Sequence, residues 1–209
     1  TLAQVRELND SLQRLARDLD LPLLFIATDQ EGGQLMAIGD GTPLPGNMAL
    51  GATRSAELAR KAGEVLGREM SALGFNVNYA PCADVNINPQ NPVVGVRSFG
   101  EDPHLVAELT AAMIEGMQSQ GVAATVKHFP GHGDTREDSH MQLPVFPGGR
   151  ARLESVELVP FRAGIAAGAP AVMTSHIALP AIDPAGNPAT LSRPVLTGIL
   201  REGLGFGGI

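Results

Sequence analysis

Leu2, Val5, Leu8, Leu12, Leu15 and Leu19 recur at steps of three and four residues, the period of a helix with one apolar stripe, and Pro22 stops the pattern. The unbroken apolar run Leu23 to Ala27 then predicts a buried strand. Ser55 is placed to cap a second helix carrying Leu58, Ala62, Val65, Leu66, Met70 and Leu73, and Gly74 sits where a left-handed residue closes a helix. Phe75 to Ala80 is the next strand. Asp102 before Pro103 supplies a cap and a first-turn proline for a third helix, with Val106, Leu109, Met113 and Met117 inward and Gly121 at its end. Val122 to Val126 predicts a third strand, a helix from about Pro160 to Gly168 follows, and Ala171 to Thr174 is a fourth strand. Ser192 and Pro194 open a last helix running towards Gly205.

Helix and strand alternate, and the strands are apolar throughout rather than on alternate positions. This predicts an α/β fold whose parallel sheet is covered on both faces. Successive strands lie roughly fifty residues apart, longer than one strand-helix unit needs, so the loops are long and are the place to look for function. The Gly- and Pro-rich stretches Gly39 to Gly46, Asn86 to Gly95 and Pro180 to Pro188 each fall between elements and read as loops rather than as a domain linker.

Composition narrows the function. The 209 residues are 44% hydrophobic and 18% charged, enough apolar material for one sizeable core. A formal charge of −7 without a Lys/Arg cluster argues against nucleic acid or an anionic membrane surface as partner. No run approaches the ~18 apolar residues of a membrane span. The single Cys82, in the apolar stretch Tyr79 to Ala83, reads as a core residue. No cofactor motif and no obligate protein partner is indicated. No leader is legible from Thr1 onward, which leaves the compartment, cytoplasmic or secreted, undetermined.

Each strand runs into polar residues at its carboxyl end: Asp29, Asp84, Lys127 with His128, and Ser175 with His176. A parallel sheet puts these on one rim, where barrel enzymes assemble their sites. The densest group is residues 127 to 140, with three His, two Asp, one Glu and one Lys around a Pro-Gly turn. Three chemistries could use it. His128, His132, Asp134, Asp138 and His140 are metal-ligand types, yet their spacing matches no zinc motif. Gly131 and Gly133 could open a phosphate loop, but Asp134, Glu137 and Asp138 would repel the anion. The third is proton transfer. Asp138 and His140 are two apart, so in an extended loop both side chains point the same way, and a carboxylate can hold an imidazole in one tautomer as a general acid/base.

The stretch Lys127-His-Phe-Pro-Gly-His-Gly-Asp-Thr135 followed by Asp138-Ser-His140 resembles the signature of family 3 glycoside hydrolases, in their β-N-acetylglucosaminidase branch. Asp29-Gln-Glu-Gly-Gly33, Asn78 to Asp84, Arg97 to Pro103, Ser175-His176 and Leu204-Gly-Phe206 extend the likeness over nearly the whole chain. The resemblance implies a partial TIM (β/α)8 barrel, with about four of the eight strands present. It implies a retaining exo-glycosidase acting on terminal β-linked N-acetylglucosamine in peptidoglycan fragments or chito-oligosaccharides, an oligosaccharide substrate handled without cofactor or metal. By motif position Asp138 and His140 are the acid/base dyad, and Asp29, Arg97, Lys127 and His128 bind sugar hydroxyls.

Two departures accompany the likeness. The family's nucleophile is an Asp after the strand that follows Gly-Phe-x-Gly, whereas this sequence reaches Gly205-Phe-Gly-Gly-Ile209. The nucleophile is therefore expected beyond Ile209, and residues 1 to 209 are expected to be a fragment of one barrel domain truncated at both ends. Some relatives also carry a sugar-binding Arg where this chain has Ala37. The rival readings are a carbohydrate-binding relative that does not turn over, and a metal-dependent hydrolase.

Overall fold

The computed structural model describes residues 1–209. Its elements are α1 (Leu2–Asp18), β1 (Ala27–Thr28), β2 (Gln30–Gly32), β3 (Leu35–Met36), α2 (Asn47–Thr53), α3 (Ala56–Ala72), β4 (Val77–Asn78), α4 (Pro103–Gln118), β5 (Ala123–Phe129), α5 (Arg150–Arg152), α6 (Leu158–Ala166) and β6 (Ala171–Thr174). A π-helical turn, Leu153–Glu157, joins α5 to α6, and a second π-helical segment spans Pro194–Gly203. The capping residues act as their types require. Thr1 and Gln4 form a capping box on α1, Ser55 Oγ accepts from Leu58 N at 3.2 Å, and Asp102 Oδ1 accepts from His104 N at 3.0 Å ahead of Pro103. Gly74 adopts φ +83°, the left-handed close of α3.

Four strands form one parallel sheet in the order β1-β4-β5-β6, which is chain order, and the pairs are Ala27 with Val77, Val77 with Ala123 and Thr125 with Ala171. Parallel strands in sequential order with helices between them are part of a (β/α)8 barrel. The helical layer holds the core, in which Leu66, Leu109, Met113, Ile114, Met117, Val126, Phe129 and Phe161 are all at most 1% exposed. Phe129 and Phe161 meet edge to face at 5.3 Å between ring centres. Helices α3 and α4 approach so closely that a Cβ on Gly116 would lie 2.2 Å from the Arg60 carbonyl oxygen, and one on Gly63 would lie 2.3 Å from that of Met113.

The structure corrects several expectations. The sheet is covered on one face, not both: Phe25, Ala27, Val77, Tyr79, Ala123, Ala171 and Met173 line an apolar recess of about 350 Å³ on the other. Leu23 to Ala27 pairs only at Ala27, because side-chain amides take the place of a ladder. Gln13 bonds both Leu24 N and Leu24 O, and Asn76 bonds Ile26 N and Leu24 O. The strand placed at Phe75 to Ala80 shrinks to Val77–Asn78, while the one placed at Val122 to Val126 extends to Phe129 and takes Lys127 and His128 into the sheet. The helix placed from Pro160 begins ten residues earlier, at Arg150, with the proline inside α6 after the π turn. The β2-β3 hairpin and α2 carry too little periodicity to have been read.

Candidate active site

Lys127 is inward on β5, 1% exposed along its side chain, and its Nζ donates to Asp29 Oδ1 at 2.7 Å and lies 2.5 Å from Glu31 Oε1. Arg97 stands on the 3-10 turn Gly95–Arg97 and grips the same carboxylate with two nitrogens, Nε to Oε2 at 3.0 Å and Nη2 to Oε1 at 2.7 Å. Glu31, 3% exposed, is therefore the hub of the site, although sequence reasoning did not single it out. Burial resists its ionisation, but the Arg97 bonds and the Lys127 and Arg97 charges outweigh burial and hold its carboxyl below the ordinary value. The same pairing holds Arg97 above its ordinary value, against burial.

A second carboxylate anchors the neighbouring strand end. Asp84, fully buried, accepts from His128 Nδ1 at 2.7 Å, from His132 N at 2.6 Å and from the Cys82 thiol at 3.1 Å. Burial again resists ionisation, and the His128 charge and bond outweigh it, so Asp84 is held well below the usual carboxylate range. His128 Nδ1 meets Asp84, and on the other side of the ring Nε2 lies 3.3 Å from Arg97 Nη2. Lys127, Glu31, Arg97, His128 and Asp84 thus form one continuous chain of bonds across three strand ends.

The long loop after β5 brings in the other pair. Asp138 Oδ1 accepts from His140 N at 2.9 Å and from His140 Nδ1 at 2.7 Å. This is an Asx turn, not the extended stretch the two-residue spacing predicts: local side-chain to backbone bonding at the Asp decides the conformation. The His140 bonds hold Asp138 below its ordinary value. Both groups are open to solvent, with His140 81% and Asp138 38% exposed along their side chains.

Asp29, Arg97, Lys127, His128 and His140 line a single cleft of about 420 Å³. Asp138 backs His140 from outside its wall. His132, Ser175 and His176 also face the cleft, and His132 is buried with its Nδ1 2.6 Å from Thr135 Oγ1. Burial pushes the His132 imidazole down. The five residues weighed as metal ligands do not converge: His128 is bonded to Asp84, His132 to Thr135, His140 to Asp138, and Asp134 to Arg152 at 3.1 Å. One other set, Cys82, Asp84 and His128, lies within 4.8 Å, but burial pushes the thiol up, away from the thiolate a metal wants, and both partners already share the Asp84 carboxylate.

A parallel α/β sheet with a charged cleft at the carboxyl ends of its strands is a barrel-type rim site. The chain belongs to glycosyl hydrolase family 3: the model of the "Glycosyl hydrolase family 3 N terminal domain" matches residues 1–209. It is 41% identical over 224 residues to beta-hexosaminidase A of Pseudoalteromonas piscicida, covering 99% of this chain and 38% of that protein. It superposes on a family 3 beta-N-acetylglucosaminidase from Paenibacillus sp. str. FPU-7 with a TM-score of 0.97 and 53% identity, over 100% of this chain and 40% of that one. Against NagZ from Neisseria gonorrhoeae in complex with N-trifluoroacetyl-D-glucosamine the TM-score is 0.91 at 34% identity, over 100% of this chain and 62% of that one. The chain thus spans between 38% and 62% of the length of these relatives, and the family and partial barrel implied by its motifs are borne out.

Proposed function

We propose that the protein carrying this chain is a retaining exo-glycosidase that removes terminal β-linked N-acetylglucosamine from peptidoglycan fragments or chito-oligosaccharides. The observation that carries this reading is the single cleft that gathers Asp29, Arg97, Lys127 and His128 at strand ends with His140 on its rim. Asp29 and the cationic Lys127 and Arg97 offer the charge-assisted hydrogen bonds that select hydroxyl orientation in a sugar ring. The beta-hexosaminidase and beta-N-acetylglucosaminidase relatives above support the sugar class.

In the proposed mechanism Asp138 orients His140, whose Nε2 gives its proton to the glycosidic oxygen as the bond from that oxygen to C1 breaks. A carboxylate attacks C1 and forms a glycosyl-enzyme ester. His140 Nε2 then takes a proton from water, the water oxygen attacks C1, and the carboxylate leaves. Glu31 and Asp84 are committed to Arg97, Lys127 and His128, and Asp29 to Lys127. We propose accordingly that the nucleophile belongs to a part of the barrel outside these residues, of which residues 1 to 209 are a fragment.

The deciding experiment is an assay of the full-length protein on an aryl β-N-acetylglucosaminide. Release of the phenol with retained anomeric configuration supports the reading, and His140→Ala is expected to lower kcat by ~10² to 10⁴ with little change in substrate binding. Sugar binding without turnover would place the protein among non-hydrolysing carbohydrate binders, and full activity in His140→Ala would overturn the dyad. Activity is expected to survive a chelator; loss restored by zinc would favour the metal-dependent hydrolase instead.

A further inference from the structure

We propose that Arg152, held between Asp134 and Glu157, is a positioning residue that sets the stance of the loop carrying Asp138 and His140. This inference rests on the acid/base reading above. The loop leaves β5 and returns at α5, and both its ends are anchored. On the way out, the carbonyls of His132 and Thr135 accept from Asn91 Nδ2 at 2.7 and 3.2 Å, and Asn88 Nδ2 adds a bond to Thr135 O at 2.9 Å. On the way back, Phe146 N donates to Ala178 O and Ala178 N to Pro144 O, each at 2.8 Å. Every hydrogen bond made by residues 136 to 143 stays inside that segment: His140 on Asp138, and the Met141 and Gln142 amides on the Asp138 carbonyl. A recess of about 380 Å³ opens beneath it, with Asp134, Glu137 and Gln142 on its walls. With no hydrogen bond from this segment to the rest of the molecule, where His140 sits is set by the two anchored ends.

Arg152 holds one end. Its Nη2 donates to Asp134 Oδ2 at 3.1 Å and to Glu157 Oε1 at 2.9 Å. Glu157 is 1% exposed and stands in the π turn between α5 and α6, the kind of helix irregularity that recurs at functional sites. Its Cβ and Cγ occupy the space beside Gly131, where an added Cβ would meet them at 2.7 and 2.9 Å. Glu157 thereby ties Arg152 to the turn that follows His128, and strand end, helix and loop end become one block. A brace built only for stability would pair its charges one to one. Here two carboxylates share one nitrogen, while Arg152 Nε and Glu157 Oε2 are buried without partners. That arrangement costs stability, and what it secures is geometry.

The test compares kcat/KM of the full-length protein and its variants on two aryl β-N-acetylglucosaminides, one with a strongly acidic phenol that leaves unaided and one with a weakly acidic phenol that needs a proton. Arg152→Met and Asp134→Asn are expected to lose ~tenfold or more on the weakly acidic phenol and less than about twofold on the strongly acidic one, with Arg152→Lys recovering part of the loss. An equal loss on both substrates overturns the proposal, because a structural brace alone lowers both alike. Should Arg152→Met fail to fold, Asp134→Asn, at the solvent-facing end of the cluster, carries the same comparison. Amide exchange of residues 136 to 143 supplies a readout free of activity. It is expected to quicken by about tenfold in the variants while the β5 amides stay protected, and unchanged exchange overturns the proposal. If the unmodified protein cleaves neither substrate, the glycosidase reading fails, and the exchange experiment still decides whether Arg152 holds the loop.

Discussion

Glu31 and Asp84 are each a buried carboxylate whose charge is sustained by its partners. Asp84→Asn is expected to cost about 3 kcal/mol at neutral pH, because its NH2 cannot accept, so either His128 Nδ1 or the His132 amide then faces a donor in place of a charged acceptor. The pH dependence follows from the shifts. Glu31 and Asp84 are held below their ordinary values when folded, so they bind fewer protons folded than unfolded. Their stabilisation is complete above the unfolded value near ~4 and is lost as pH falls towards the folded value. Glu157 runs the other way: burial pushes its carboxyl up, so its contribution is present below the unfolded value and declines as pH rises through the folded one. Calorimetric Tm is therefore expected to fall steeply in the unmodified protein below pH ~5 and more shallowly in Asp84→Asn. Asp29, Arg97, Lys127, His128 and His140 could be picked from sequence because each lies in a motif or at a strand end. Glu31 lies in a motif too, and the signal that could have found it was the need for an acid to neutralise Arg97 and Lys127 once both are placed on one rim.

At the scale of elements, the long helices were legible and the short strands were not. Helices α1, α3 and α4 carry a 3.6-residue stripe together with a cap, and both signals are local. The strands β1 and β4 pair over two residues each; ahead of β1 the backbone is bonded instead by the Gln13 side chain of α1 and by the Asn76 side chain some fifty residues away, contacts that no local pattern announces. The close crossing of α3 and α4 was also hidden, since a glycine inside a helix reads as a weakness until its neighbour is known. Gly116→Ala is expected to destabilise the fold by about 2 kcal/mol in urea unfolding, because the added methyl group meets the Arg60 carbonyl and the helices must part. Ala112→Gly on the same helix has no such clash to relieve. It is expected to cost about 1 to 2 kcal/mol, helix propensity plus the lost contacts of one buried methyl group, with no parting of the helices, and serves as the control.

At the scale of the whole molecule, the sheet has a helical layer on one face and an apolar recess on the other, with Phe25 72% and Ile209 72% exposed. Residues 1 to 209 are expected to bind a hydrophobic dye and to elute above the 21.8 kDa of one chain; a clean monomer without dye binding would count against this. The α/β alternation, the long helices, the family and the motifs at the strand ends were determined by sequence alone, because periodicity, caps and contiguous signatures are written in neighbouring residues. Only the tertiary structure decided that Lys127, Arg97 and Glu31 form one ion network, that Asp138 turns back on His140, and that Arg152 reaches Asp134. These contacts depend on separations of up to 98 residues, or on a turn set by side-chain to backbone bonding, and neither leaves a period for sequence reasoning to read.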